Sequence, residues 1–193
     1  MDMENFSNMQ LDAMREVGNI GAGNAATALS VMLSRLVDMD VPKAELVSIY
    51  ELAEYYGDPL KPVSAVFVRS EGEFTCSLIF FQDEEDAQSL VDLLISQQMA
   101  GMALDDIPPE MRDSALTEVG NIILSSFLNA INVLMGGTHS ISVPGVAHDM
   151  MGSILQVIAS IFGQTGEYAL IVDTTLKVGD IEKNVSGKVV MLP

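Results

Sequence analysis

Three polar residues near the start of the chain, Asp12, Glu16 and Asn19, fall at positions i, i+4 and i+7. In a helix that spacing places them on one side. Ser114, Glu118 and Asn121 repeat the same spacing in the second half. A carboxamide is neutral, with one acceptor oxygen and an amino group that donates, so it is a poor acid or base. It is suited to holding a water molecule in place, as a glutamine does in GTPases. A glutamate three residues earlier can pair with a basic residue of a partner. Neither half supplies a nucleophile–base pair or a histidine beside these residues. The chemistry open to this pattern is that of a site completed by two proteins. The partner would bring a metal and a phosphoryl group, and this chain the side chain that orients water. A solvated helix face also exposes polar residues at this spacing, and that reading stands beside the chemical one.

The recurrence belongs to a longer repeat. Residues 16–20 and 118–122 both read Glu-Val-Gly-Asn-Ile, an offset of 102. At that offset Ala28 meets Ala130, Val31 meets Val133, and Val41-Pro42 meets Val143-Pro144. The first copy also carries Gly18, Gly21 and Gly23 inside a helical pattern, where each glycine costs about 1 kcal/mol relative to alanine. Glycines there let another backbone come close. That backbone could belong to a partner or to the second long helix of this chain, and the sequence leaves both open.

The elements that must position these residues follow from periodicity. Residues 10–36 and 112–135 read as helices. In the first, Leu11, Met14, Val17, Ile20, Ala25, Ala28, Leu29, Met32 and Leu33 form a broad apolar face. Residues 63–68 and 74–81, joined by a charged turn at 69–73, read as a hairpin. Residues 169–176 and 185–192, joined by a loop around Gly179, read as another. Residues 83–98 have helical spacing, with Ala87, Leu90, Val91, Leu94 and Ile95 apolar. The matching second-half stretch, 157–162, comes before its strands rather than after them. Residues 105–109 are the expected connector. Each half is small for a core of its own. The expectation is one domain over 1–193, with repeats at about 1–100 and 101–193. Its class is mixed α/β, of the α+β kind: a shared, mainly antiparallel sheet about a pseudo-two-fold axis, with two long motif-bearing helices exposed on one face.

Charge and composition narrow the function. Nine Lys and Arg stand against 27 Asp and Glu among 193 residues, a formal net charge of −18. Such a surface argues against nucleic acid and against docking on anionic lipid. A basic patch on a partner would be attracted to it. The polar, acidic N-terminus does not read as a signal peptide. No unbroken apolar run reaches membrane-spanning length, so a cytoplasmic protein without membrane insertion is expected. Cys76 lies in an apolar run and reads as a buried, inert thiol. Residues 21–26 match a dinucleotide-binding glycine pattern, but no strand precedes them. His139 and His148 form no metal-ligand cluster, and the acidic run 83–86 reads as a helix start. The 13 methionines read mostly as core filler.

The doubled pattern, Asp12, Glu16, Asn19 with Pro42 and Ser114, Glu118, Asn121 with Pro144, resembles the CheC/CheX/FliY family of chemotaxis phosphatases, its CheC branch most of all. The resemblance covers nearly the whole chain. It implies hydrolysis of the aspartyl-phosphate of the response regulator CheY. Asn19 and Asn121 would orient the attacking water, and Glu16 and Glu118 would pair with the regulator's lysine. Mg2+ would be supplied by the bound regulator, and this chain would hold no cofactor or metal of its own. Asp12, Ser114, Pro42 and Pro144 match motif positions, the prolines as structural residues closing the segment after each helix. The chain ending directly after a strand is expected to set it apart from a flagellar switch component. The resemblance also implies the deamidase CheD as a partner, with Asp149 in the contacting stretch 146–154. From another class, the alternative is a non-catalytic binding module that regulates CheD or sequesters phosphorylated CheY.

Overall fold

Among the described residues, alternating and continuous apolar runs become seven strands of one sheet, and 3.6-residue patterns become helices on both faces. The structure, a computed structural model, describes residues 8–72, 75–98, 106–179 and 184–193. Glu73 and Phe74 of the expected first hairpin, and Asp105 of the expected connector, lie outside the described residues.

In chain order the elements are α1 (Asn8–Leu33), β1 (Val37–Ser48), a 3-10 turn (Ile49–Glu51), α2 (Leu52–Tyr56), β2 (Pro62–Gly72), β3 (Cys76–Asp83), α3 (Glu84–Gln98), α4 (Pro109–Met135), β4 (His139–Ile141), β5 (Gly145–Met150), α5 (Met151–Phe162), β6 (Tyr168–Val178) and β7 (Val185–Leu192). The sheet runs β1-β6-β7-β3-β2-β4, with β5 also on β2, and every pairing is antiparallel. The mixed class and shared antiparallel sheet are as expected. Each half sends a segment across: β1 pairs with β6, and β4 and β5 pair with β2.

The central strands are buried on both faces, β3 along almost its whole length. One core lies between the sheet and α1, α3 and α4, around Leu29, Leu90, Leu94, Val119, Ile123 and Leu124. The other lies under the 3-10 turn, α2 and α5, around Ile49, Leu52, Phe81, Leu155 and Ile171. Cys76 is buried, as expected, and desolvation pushes its thiol up to about 12 against a smaller opposing pull from Arg69. By length and composition α4 could cross a membrane. Its apolar face is instead spent on the core.

Four expectations need correction. The first helix ends at Leu33 rather than 36, because Ser34 takes a left-handed conformation (φ 50). Ser30 Oγ then accepts the Val37 amide hydrogen at 2.9 Å, starting β1 instead of another turn. Second, β1 itself was not expected. Third, Pro42 does not close the segment after α1 but lies inside β1, where the register with β6 shifts between Asp40 and Lys43. A proline has no amide hydrogen, and a bulge in an edge strand is where a sheet tolerates one. Pro144 lies between β4 and β5 and separates them. Fourth, the helix expected at 157–162 begins at Met151.

Candidate functional site

The stripe residues sit on α1 and α4, the two long helices of one sheet face. Pro109 at the first position of α4 suits a helix start, where its missing amide hydrogen costs nothing. Gly136, left-handed at φ 73, ends the helix, and its amide bonds to Asn132 O. The N-terminal turns of α4 are pinned from two sides. Arg112 pairs with Asp92 of α3 at 2.8 Å. His148 of β5 lies 3.1 Å from Asp113 through Nε2 and 2.8 Å from Ser64 Oγ through Nδ1. Ser64 in turn donates to Glu84. Burial works to raise the Glu84 carboxyl, but the bonds from Ser64 and His148 and the histidine's charge outweigh it and hold it below its ordinary value.

The glycines divide by cause. A Cβ on Gly21 would lie 2.9 Å from the Phe127 Cα of α4, so this glycine lets the two long helices touch. A Cβ on Gly120 would lie 2.6 Å from Val66 Cβ, so this one seats α4 on the sheet. Gly18 would meet only ordinary contacts at 3.5 Å, and Gly23 would meet nothing within 4 Å. The helix-packing explanation therefore holds for Gly21, and no contact among the described residues explains Gly23.

On α1, Asp12, Glu16 and Asn19 are all exposed, one turn apart along the outer face. On α4, Ser114 and Glu118 are exposed and Asn121 is half-buried. Ser114 Oγ turns back to donate to Glu110 O at 2.7 Å. Among the described residues neither Glu16 nor Glu118 has a cation within ion-pair distance, and Asn19 has no hydrogen-bond partner for its side chain. The Asn121 Oδ1 accepts a bond from Ser125 Oγ at 3.3 Å. Glu16, Asn19 and Glu118 thus keep their polar groups free of partners among the described residues, while Ser114 and Asn121 each make one bond within α4.

Among the described residues, two clefts lie apart from the stripes. A cleft of about 320 Å³ touches Tyr56, Gln82, Asp173 and Lys188. A second, of about 200 Å³, lies between Ser64, Glu84, Arg112 and His148. Neither includes Glu16, Asn19, Glu118 or Asn121. An exposed helical face with free polar groups suits a protein surface better than a small molecule, which needs enclosure. Among the described residues no cluster of three or more His, Cys, Asp or Glu is arranged to hold a metal.

Asp149 is not brought to the stripes. It is exposed near the end of β5, opposite Val63, and accepts a bond from the Met150 amide. Side chains alternate along a strand, so Asp149 leaves the sheet on the face opposite that of His148, which reaches α4. The sequence reading missed the bond from Ser125 to Asn121, the Phe127 contact and the link of His148 to Asp113. Only Ser125 left a trace, as the residue that stands where the first copy has Gly23.

The model of the CheC-like family matches this chain twice, over residues 9–46 and 111–148. The chain is 36% identical over 185 residues to the CheY-P phosphatase CheC of Bacillus subtilis (strain 168), covering 95% of this chain and 88% of that protein. It is 28% identical over 145 residues to the flagellar motor switch phosphatase FliY of the same organism, covering 75% of this chain and 37% of that protein. Among solved structures, Thermotoga maritima FliY is similar in fold, with a TM-score of 0.78 at 19% identity, covering 96% of this chain and 90% of that one. The FliM middle domain from H. pylori shares the fold at a TM-score of 0.65 and 12% identity, covering 97% and 94%.

Proposed function

This chain belongs to the CheC-like family, and from that premise we propose that it hydrolyses the aspartyl-phosphate of the response regulator CheY. The observation that carries the reading is the pair of Glu-x-x-Asn stripes on α1 and α4, with their carboxylates unpaired among the described residues. The name of the Bacillus subtilis relative supports the same activity.

In this mechanism α1 or α4 lays its stripe against the regulator beside the phosphoryl group. Glu16 or Glu118 pairs with a lysine of the regulator and fixes the helix in register. Asn19 or Asn121 accepts a hydrogen of one water and holds its oxygen in line with the phosphorus. The water oxygen bonds to phosphorus, the bond from phosphorus to the aspartate oxygen breaks, and the regulator's carboxylate and inorganic phosphate leave. The water's proton leaves with the phosphate. An amide accelerates this step by positioning rather than by proton transfer. The divalent cation belongs to the regulator, and the chain's own residues supply no ligand to it.

The chain forms one domain of two repeats, about 1–100 and 101–193. Two features support that division. Both matches to the family model share one offset, and the bulge at Pro42 in β1 corresponds to the break at Pro144 between β4 and β5. In this reading the protein works in the cytoplasm, beside its substrate regulator. CheD is a second partner in this reading, and Asp149 is the acidic group offered to it, away from both stripes.

The test is phosphate release from CheY charged with acetyl phosphate and Mg2+, with and without this protein. We expect acceleration, and its loss by roughly 10²-fold or more in the double variant Asn19→Ala/Asn121→Ala, on the scale of removing one positioned polar group from an active site. Regulator binding should survive. Undiminished hydrolysis by the double variant would sink the water-orienting role. Binding without any acceleration by the wild type would make the chain a binding module.

A further inference from the structure

The two stripes differ at one position that lies outside the Glu-x-x-Asn pattern. One turn after Asn121 stands Ser125, whose hydroxyl donates to Asn121 Oδ1 at 3.3 Å. One turn after Asn19 stands Gly23, which has no side chain to do the same. The contrast extends to the surroundings. Asn121 is half-buried, while Asn19 is exposed and, among the described residues, without a side-chain hydrogen bond. A Cβ at Gly23 would meet nothing within 4 Å. No neighbour among the described residues therefore asks for a glycine there, although glycine weakens a helix interior.

We infer that Ser125 is a positioning residue for the second site, and that Gly23 sets the first site apart by leaving it bare. This rests on the phosphatase reading above. A carboxamide oxygen has two lone pairs. The Ser125 hydroxyl occupies one and holds the amide in one rotamer, leaving the other for a hydrogen of the attacking water. The cost of ordering that side chain is then met before the regulator binds, and the gain appears in turnover. The first site has no such restraint. Its Asn19 must be ordered during docking, but the helix surface beside it is open to close approach by the regulator's backbone. The division of labour follows: the α4 site has the higher kcat, and the α1 site has the lower KM.

Steady-state phosphate release against phosphorylated CheY tests this in single-site backgrounds. Asn19→Ala isolates the α4 site and Asn121→Ala the α1 site. In the first background, Ser125→Ala should lower kcat roughly three- to tenfold with KM changed less than about twofold. Ser125→Thr, which keeps the hydroxyl, should restore it. In the second background, Gly23→Ser should raise both kcat and KM. A merely structural serine would not give this split or this rescue, and thermal melts of each variant exclude unfolding as the cause. An unchanged kcat in Ser125→Ala, or a loss that threonine does not repair, would overturn the inference. The phosphatase reading fails by a separate result, full activity of the double asparagine variant.

Discussion

At the scale of single residues, the proposed mechanism gives the two members of each stripe different work, and their kinetics should separate. Glu16 and Glu118 have no cation to pair with among the described residues, so each is available to an incoming lysine. An ion pair at an interface acts mainly on encounter and register. Replacing both, Glu16→Gln/Glu118→Gln, should raise KM for phosphorylated CheY by about tenfold, with a smaller effect on kcat. A collapse of kcat at unchanged KM would instead make the glutamates proton acceptors. The positions of Glu16, Asn19, Glu118 and Asn121 were legible in the sequence because they depend only on helix spacing and on repetition. The bond from Ser125 to Asn121 was not legible. It depends on which rotamers two side chains adopt on a formed helix, and no spacing rule encodes that choice.

At the scale of elements, the glycines report how the long helices are seated. Gly120 lets α4 lie against Val66, and any added carbon there overlaps the valine's Cβ. Gly120→Ala should therefore destabilise the protein by about 1–3 kcal/mol, the usual range for overpacking a core. Gly23→Ala should do the opposite, stabilising by about 1 kcal/mol through helix propensity alone. Urea unfolding of the two variants beside the wild type measures both, and equal effects of the same sign would refute this account of the helix seats. The elements also show where pattern reading stopped. The helices and hairpins carrying long apolar periodicities were legible to within a few residues. The end of α1 was not, since it turns on Ser34 adopting a positive φ that most residues avoid. Nor was β1, because Pro42 interrupts a run whose alternation, with Val37, Met39 and Val41 inward, otherwise marks a half-buried strand. The β-bulge that accommodates the proline exists only in the presence of β6, a partner far along the chain.

At the scale of the whole molecule, a formal net charge of −18 sets the background for every contact. Like charges on one surface repel and weaken the compact state, and salt screens them over a Debye length of about 8 Å at physiological ionic strength. Raising NaCl from about 20 to 300 mM should lift the melting temperature by a few degrees. A fall in melting temperature over that range would show that attractive pairs, such as Arg112 with Asp92, outweigh the repulsion. The shared sheet was legible from the small size of each half, but its interleaving was not, because strand order follows from pairings that no local pattern records. That interleaving governs how the protein comes into being. Val37 finds its partner in Val178, so β1 leaves the ribosome long before the strand that completes it has been made. Pairings so distant in sequence slow folding, since loop-closure entropy must be met before the contact returns anything. The nascent chain must therefore carry an unpaired strand, and the first motif helix packed beside it, until β6 emerges. Neither motif-bearing face can mature alone during synthesis, and the one nearer the N-terminus waits for almost the entire chain.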